Sequence, residues 1–161
     1  KIRRAIMAVD GVRDMHLLRT RRMGGDALID VHVLVEPRIT VSEGHRVGES
    51  VRAKLIEQFT EVSDVMVHVD PEDDEQGTPC LTLPGRGPLL ERLESEWRHI
   101  PAAAHIDRVD LHYLGGGVEV ELGLPRSVLG GSLARADELA EEFAHVARGV
   151  AEVRCISLSY H

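Results

Sequence analysis

The chain has 161 residues, of which 43% are apolar and only 3% aromatic, and its formal net charge is −8. This negative charge argues against a nucleic-acid partner, because the chain has no basic patch to displace counterions from phosphates. The low aromatic content argues against a deep cavity for a large organic cofactor.

The cysteines and the start of the chain indicate the setting of the protein. Cys80 and Cys155 lie far apart, without a Cys-x-x-Cys pair, which favours a reducing compartment over a disulfide framework. No apolar run approaches the roughly 20 residues that a membrane-spanning helix needs. Lys1 opens directly onto a helical pattern with no initiator Met, so we expect this chain to be a fragment of a longer protein.

The first 71 residues predict the element order α-β-β-α-β. Isoleucine and valine at helical spacing predict a short helix over residues 1–9. Alternating apolar and polar residues then predict three strands, of which the first two form a hairpin. Thr40 and Glu43 form a capping box before a second helix with an apolar stripe at i, i+4 spacing. The strands are predicted at residues 12–22, 27–36 and 62–70.

The same order is predicted again after a linker. Residues 72–88 combine an acidic run with several prolines and glycines, which opposes any regular element. Beyond them, residues 89–161 repeat the pattern, and alignment of Pro37 with Pro125 sets a period of roughly 90 residues. Helices are predicted at residues 89–97 and 132–148, and strands at 108–114, 118–124 and 152–160. The chain is therefore expected to be an α+β protein of two tandem α-β-β-α-β units, each with helices on one face of an open sheet.

Histidines and one aspartate of the first unit are predicted to meet on one face of its sheet. The strict alternation of residues 65–70 places the valines on one strand face and His68 and Asp70 on the other. His32 lies on the polar face of the second strand. His16 joins them if it lies on the polar face of the first strand, in which case three strands present imidazoles or carboxylates to one surface.

These residues offer imidazole nitrogen and carboxylate oxygen with no thiolate. Such a ligand set suits zinc and neighbouring divalent metals without singling one out. Taken alone, each residue has an ordinary explanation, because polar strand faces and exposed histidines are common. His45 lies near the N-terminus of its helix and by itself is an ordinary surface residue. The convergence of His16, His32, His68 and Asp70 is what favours a metal site.

Four motifs follow one another in the first unit. They are His16-Leu17-Leu18-Arg19-Thr20-Arg21, Ile29-Asp30-Val31-His32, Gly44-His45 at a helix start, and Val67-His68-Val69-Asp70-Pro71. Their order and spacing resemble the C-terminal cytoplasmic domain of the cation diffusion facilitator transporters over residues 1–71. The resemblance implies an open α-β-β-α-β module, similar to ferredoxin-like metallochaperone folds. It also implies a homodimer beneath a membrane-embedded efflux domain for zinc or another divalent metal.

The resemblance implies roles for individual residues. His16, His32, His68 and Asp70 match the family's metal-binding residues, and His45 matches the residue that joins a site across the dimer interface. The expected ligand is Zn²⁺ or another divalent cation such as Fe²⁺, Mn²⁺, Co²⁺ or Cd²⁺. Metal between two subunits is expected to stabilise the closed, transport-competent dimer at the cytoplasmic face of the inner membrane. The protein's own transmembrane transport domain is the other expected partner.

Residues 72–161 depart from the family pattern. The alignment on the two prolines places Val120 where His32 would lie, and only His112 falls at the place of His16. By the same alignment, the place of His68 falls near Ile156. We therefore expect the second unit to be a degenerate repeat kept for packing or dimer contacts.

Other functions stay open at this point. A second, weak metal site would use His112 with Glu119 or Glu121. The chain could instead be a purely structural dimerisation scaffold without metal sensing, or a soluble metal carrier, although carriers of soft metals prefer thiolates. An enzyme is not expected, because a zinc hydrolase needs an open coordination position and a general base in a cleft.

Overall fold

The computed structural model describes residues 1–73 and 80–161 of the chain. The chain divides into two compact units, unit 1 (Lys1–Gly77) and unit 2 (Thr78–His161). Among the helices of the described residues, none combines the length and the apolar character that crossing a membrane requires. The middle of the predicted linker, residues 74–79, lies outside the described residues.

Unit 1 follows the order predicted from its sequence. Its elements are α1 (Ile2–Ile6), β1 (Asp14–Met23), β2 (Asp26–Leu34), α2 (Val41–Gln58) and β3 (Val62–Asp70). The sheet order is β1-β2-β3, with β1 antiparallel and β3 parallel to β2. Because β2 and β3 are parallel, α2 must carry the chain back from one end of the sheet to the other, and it covers one face as it does so.

Local sequence signals fix where these elements turn and begin. Gly24 has a φ of +65°, a left-handed conformation that favours glycine, and it forms a two-residue hairpin turn with Gly25. Thr40 caps α2, because its Oγ1 accepts a hydrogen bond from the backbone N–H of Glu43 at 3.2 Å. The hairpin sets the pairing of β1 with β2, and the cap fixes the start of the helix that returns to β3.

The core of unit 1 lies between its helices and one face of the sheet. Along β2, the side chains of Ile29, Val31 and Val33 are at most 1% exposed, whereas the residues between them are only partly buried. They pack with buried helix residues, among them Ile6, Val51 and Leu55. The alternate residues of the strands therefore share the opposite face of the sheet, away from this core.

Unit 2 repeats this order. Its elements are α3 (Arg86–Trp97), β4 (Arg108–Leu114), β5 (Gly117–Leu124), α4 (Ala134–Ala147) and β6 (Val153–Tyr160). The sheet order is β4-β5-β6, again with an antiparallel pair followed by a parallel pair. Short 3-10 turns lie at Cys80–Thr82, Pro101–His105 and Arg126–Leu129. The two tandem α-β-β-α-β units confirm the predicted α+β fold class.

The first helix of unit 2 begins earlier than the sequence pattern suggests. Gly85 is its N-cap and Arg86 its first residue, within the stretch predicted to be a linker. Pro88 is tolerated at the third helical position, because the first N–H groups of a helix have no intrahelical partner. The prolines and glycines at the end of the predicted linker therefore lie at the start of α3 and do not exclude a helix there.

The core of unit 2 is built around α4. Leu139 and Phe143 of this helix are fully buried with Leu122 of β5. Trp97, at the end of α3, is 4% exposed, and its ring lies edge-on to that of Phe143 with centroids 5.8 Å apart. Because Trp97 is the single tryptophan of the chain, its fluorescence reports the packing of unit 2.

A glycine of α2, Gly48, lets this helix lie close to β3. A Cβ atom at Gly48 would lie 3.2 Å from Val69 Cγ2, which is tighter than ordinary van der Waals contact. At Gly44 the nearest atom would be Val69 Cγ1 at 3.4 Å, within the ordinary range. The close approach of the helix holds the strand that carries His68 and Asp70.

We expect Gly48→Leu to destabilise unit 1 by about 1–3 kcal/mol, because the larger side chain must push Val69 and β3 away from α2. Urea unfolding of the full chain, followed by circular dichroism, measures this change. Gly44→Ala is the matched control on the same helix. Its Cβ fits, and the higher helix propensity of alanine should leave stability unchanged or raise it by up to about 1 kcal/mol. A Gly48→Leu protein as stable as the wild type would show that α2 and β3 are not in tight contact.

Candidate metal centre

The parallel register of β2 and β3 brings their polar residues side by side. His32 pairs with His68, and two residues further on Leu34 pairs with Asp70. Side chains alternate along a strand, so these residues lie on the sheet face opposite to the core. The structure thus places His32, His68 and Asp70 on one face, as the alternation of the sequence predicts.

His16 reaches this face through an irregularity in β1. The register with β2 shifts between Met15 and Leu17, which makes His16 the extra residue of a β-bulge. Its side chain is only 6% exposed, and its Nε2 lies 3.5 Å from Asp70 Oδ2. The sequence left the direction of this side chain open, and the bulge decides it.

A single carboxylate oxygen connects three strands. Asp70 Oδ2 lies 2.8 Å from His32 Nδ1 and 3.5 Å from His16 Nε2. One potential ligand atom from each residue lies within 4.8 Å of the other two. Ligands about 2.0–2.2 Å from a tetrahedral zinc ion lie roughly 3.3–3.6 Å from one another, so this spacing suits an ion after small side-chain movements. We refer to His16, His32 and Asp70 as the triad.

His68 and His45 lie outside the triad. The His68 ring stacks on the His32 ring, with centroids 4.3 Å apart and an interplanar angle of 14°. His45 is exposed near the start of α2, and with His68 it lines a cavity of about 460 Å³. The structure therefore gathers His16, His32 and Asp70, places His68 in ring contact with His32, and leaves His45 at the cavity. The full set of five ligands stays a prediction.

The strand registers correct the alignment between the two units. Both hairpins turn through two residues, so Met23 before the first turn corresponds to Leu114 before the second. The same offset relates Val62 to Val153, where each parallel pair begins. The alignment on the prolines is therefore wrong, because a proline ends a strand without fixing its distance from the preceding turn.

The corrected alignment changes which residues of unit 2 correspond to the triad. The place of His16 falls on Asp107 and not on His112, which lies at the place of Arg21. The places of His32, His68 and Asp70 fall on Gly123, Ser159 and His161, and not on or near Val120 and Ile156. His161 Nε2 lies 2.8 Å from Asp107 Oδ2. Unit 2 thus exchanges the imidazole and the carboxylate, with Asp107 directly before β4 and His161 directly after β6.

The alternative metal site of unit 2 is not gathered like the triad. His112 pairs with Glu119 across β4 and β5. Within residues 1–73 and 80–161, however, no second group of three His, Cys, Asp or Glu side chains has ligand atoms as close together as the triad.

The sequence did contain a signal for the correct alignment of the two units. The glycine pairs of the two hairpin turns occupy the same position in each unit.

Comparison with known proteins identifies unit 1. Residues 1–72 match the family model described as cation efflux protein, cytoplasmic domain. Metal tolerance protein C1 of Arabidopsis thaliana is 46% identical over 70 residues, which cover 44% of this chain and 15% of that protein. The manganese efflux system protein MneP of Bacillus subtilis is 30% identical over 70 residues, which cover 44% of this chain and 24% of that protein. The solved structure of MamM-CTD is 30% identical and covers 44% of this chain and 90% of that chain, with a TM-score of 0.43.

The family match ends at residue 72, and the chain spans a quarter or less of the length of these two curated relatives. The fold order of unit 1 and its motifs agree with this match. Unit 1 of this chain is therefore a member of the cytoplasmic-domain family of the cation efflux proteins.

Proposed function

We propose that this chain is the cytoplasmic regulatory and dimerisation region of a divalent-metal efflux transporter. In this proposal a metal ion at the dimer interface stabilises the closed, transport-competent dimer. The observation that supports it is the triad on the open sheet face of a unit that belongs to the cation efflux family. The transmembrane transport domain and a position at the cytoplasmic face of the inner membrane are parts of the same proposal.

The triad would hold the ion through two imidazole nitrogens and a carboxylate oxygen. His32 Nδ1 and Asp70 Oδ2 lie at hydrogen-bond distance, 2.8 Å apart, so a proton can lie between them. A divalent ion replaces that proton and adds positive charge between the carboxylate and the imidazoles. His68 is the proposed fourth ligand within the chain, and it reaches the ion if its ring turns away from the ring of His32.

The ligand chemistry narrows the choice of metal without fixing it. Nitrogen and oxygen ligands without a thiolate suit zinc, and they also accept iron, manganese, cobalt and cadmium. We take Zn²⁺ as the first candidate. Mn²⁺ is a second one, since one of the relatives is a manganese efflux system protein.

His45 is proposed to complete the site of a second copy of the chain. It is exposed, and it lies at the edge of the cavity that also contains His68. An ion that binds only the dimer stabilises it by about 2.7 kcal/mol when the free metal is about 100 times its Kd. An energy of this size shifts a two-state equilibrium by roughly a factor of 100, which is enough to report the cytoplasmic metal level.

One observation favours a second candidate function, a dimerisation scaffold without metal sensing. The contact of 2.8 Å between His32 and Asp70 satisfies both groups without an ion. Their presence on one face would then be structural. Zinc should leave the shape and association of such a scaffold unchanged, whereas it should compact a metal-regulated dimer.

We expect Asp70→Asn to weaken zinc binding by more than about tenfold, because it removes the charged oxygen that both imidazoles face. Isothermal titration calorimetry of the full chain with Zn²⁺ measures the affinity and the stoichiometry. Asp64→Asn is the matched control on the same strand, where the carboxylate is 62% exposed and pairs with Arg52 at 3.3 Å. Equal affinity and stoichiometry for Asp70→Asn and the wild type would contradict the assignment of the triad.

We expect His45→Ala to reduce the zinc-dependent gain in dimer stability while zinc still binds the triad. Sedimentation velocity and solution scattering, each with and without Zn²⁺, measure association and compaction. His99→Ala is the control, since His99 is an exposed histidine of unit 2. A wild-type protein with no zinc-dependent change in either measurement would support the scaffold, and an unaltered response of His45→Ala would remove this residue from the site.

A further inference from the structure

Unit 2 has a protein cation close to the place where unit 1 gathers its ligands. Arg108 corresponds to Leu17, the residue that follows the bulge of β1. Arg108 Nη2 lies 3.2 Å from Glu121 Oε1 on β5 and 3.2 Å from Ser159 Oγ on β6. Arg108 Nε lies 3.1 Å from Asp110 Oδ2 on its own strand. One guanidinium group therefore contacts all three strands of the sheet.

Two partners of Arg108 correspond to residues on the open sheet face of unit 1. By the offset that relates the two hairpins, Ser159 corresponds to His68 and Glu121 to Asp30. The guanidinium group therefore spans the surface on which unit 1 carries its imidazoles. Ser159 therefore takes the place of a predicted ligand of unit 1, whereas Glu121 takes the place of Asp30, which pairs with Arg21 at 3.1 Å.

Gly123 leaves the space that this arrangement needs. It lies at the place of His32, and a Cβ atom there would lie 2.9 Å from Arg108 Cβ and 2.9 Å from Asp107 Oδ1. Arg108 pairs with Gly123, and the N–H of the preceding residue, Asp107, also donates a hydrogen bond to the Gly123 carbonyl oxygen at 3.1 Å. A histidine at this place would have to displace Arg108 and the Asp107 carboxylate, so it does not fit here without a shift of β4.

The carboxylates of this surface already have partners from the protein. Asp110 and Glu121 pair with Arg108, and Asp107 pairs with His161. A divalent ion would have to compete with a guanidinium group that is always charged and that offers several donors in one plane. The negative charge that attracts a metal is therefore partly offset by Arg108 within unit 2 itself.

We propose that Arg108 is a built-in cation of unit 2, which joins β4, β5 and β6 where unit 1 would use a metal ion. The polar face of unit 2 is then held together without metal and does not respond to it. The comparison with a metal ion rests on the proposed function of unit 1. The stabilising role of Arg108 does not depend on that function.

The first test measures the stability of unit 2 through the fluorescence of Trp97 during urea unfolding in the presence of EDTA. Arg108→Leu should raise the unfolding constant roughly fivefold, as expected for a partly exposed network with several partners. Arg108→Lys should restore only part of the loss, because an ammonium group cannot reach all three strands at once. Arg148→Leu, an exposed arginine at the end of α4, is the control. Equal stability of Arg108→Leu and Arg148→Leu would overturn the proposal.

The second test asks where zinc acts, using amide resonances of the isotope-labelled full chain with one equivalent of Zn²⁺. The resonances of Glu121, Gly123 and Ser159 should stay in place, while those of His32 and Asp70 should move. Zinc-induced shifts at the three unit 2 residues would overturn the proposal. Unmoved resonances at His32 and Asp70 would instead contradict the proposed function of unit 1, and the stability of the Arg108 variants would still decide the role of this residue.

Discussion

The contact of one carboxylate oxygen with two imidazoles is the constraint on which the arrangement of unit 1 depends. Asp70 Oδ2 lies 2.8 Å from His32 Nδ1 and 3.5 Å from His16 Nε2, and each of these residues belongs to a different strand. The contact forms because β3 runs parallel to β2, which in turn requires α2 as the crossover. It also requires the bulge of β1, and the close approach of Gly48 to Val69 keeps β3 against the helix. The fold, the bulge and Gly48 of α2 therefore all help to position a single small site.

Unit 2 shows that the α-β-β-α-β fold does not by itself create this site. At the corresponding places, the imidazole and the carboxylate are exchanged in the pair of His161 with Asp107. Gly123 has no side chain to contribute, and Arg108 supplies a positive charge instead. Carboxylates that share a sheet face need nearby positive charge, and either a metal ion or an arginine can provide it. A metal ion can bind and dissociate, whereas an arginine is always present. In the proposed arrangement, unit 1 therefore responds to the metal concentration and unit 2 does not.

Much of the fold follows from short-range sequence patterns, whereas the site depends on pairing between distant strands. The predicted strand at residues 108–114 has the bounds of β4, and Thr40 caps α2 as its sequence indicates. Alternation also placed His68 and Asp70 on one face. Alternation could not reveal the direction of His16, because a bulge adds a residue without a sequence signal of its own. The correspondence between the units was missed for a related reason, since strand register is fixed by the hairpin turns and not by the prolines that end the strands.

The triad supplies three ligands, and this number links metal binding to the association of two copies of the chain. A tetrahedral ion takes four ligands, and the triad provides one from each of His16, His32 and Asp70. His68 can supply the fourth only by giving up its stacking on His32, where the ring centroids are 4.3 Å apart. In the proposed dimer, a histidine from a second copy, such as His45, would complete the coordination of the ion without that loss. Binding that uses two copies couples the affinity for metal to the affinity between copies, and each strengthens the other by the same factor. A site with three convergent ligands therefore suits a sensor that reads metal through dimer stability better than a carrier that must hold its ion alone.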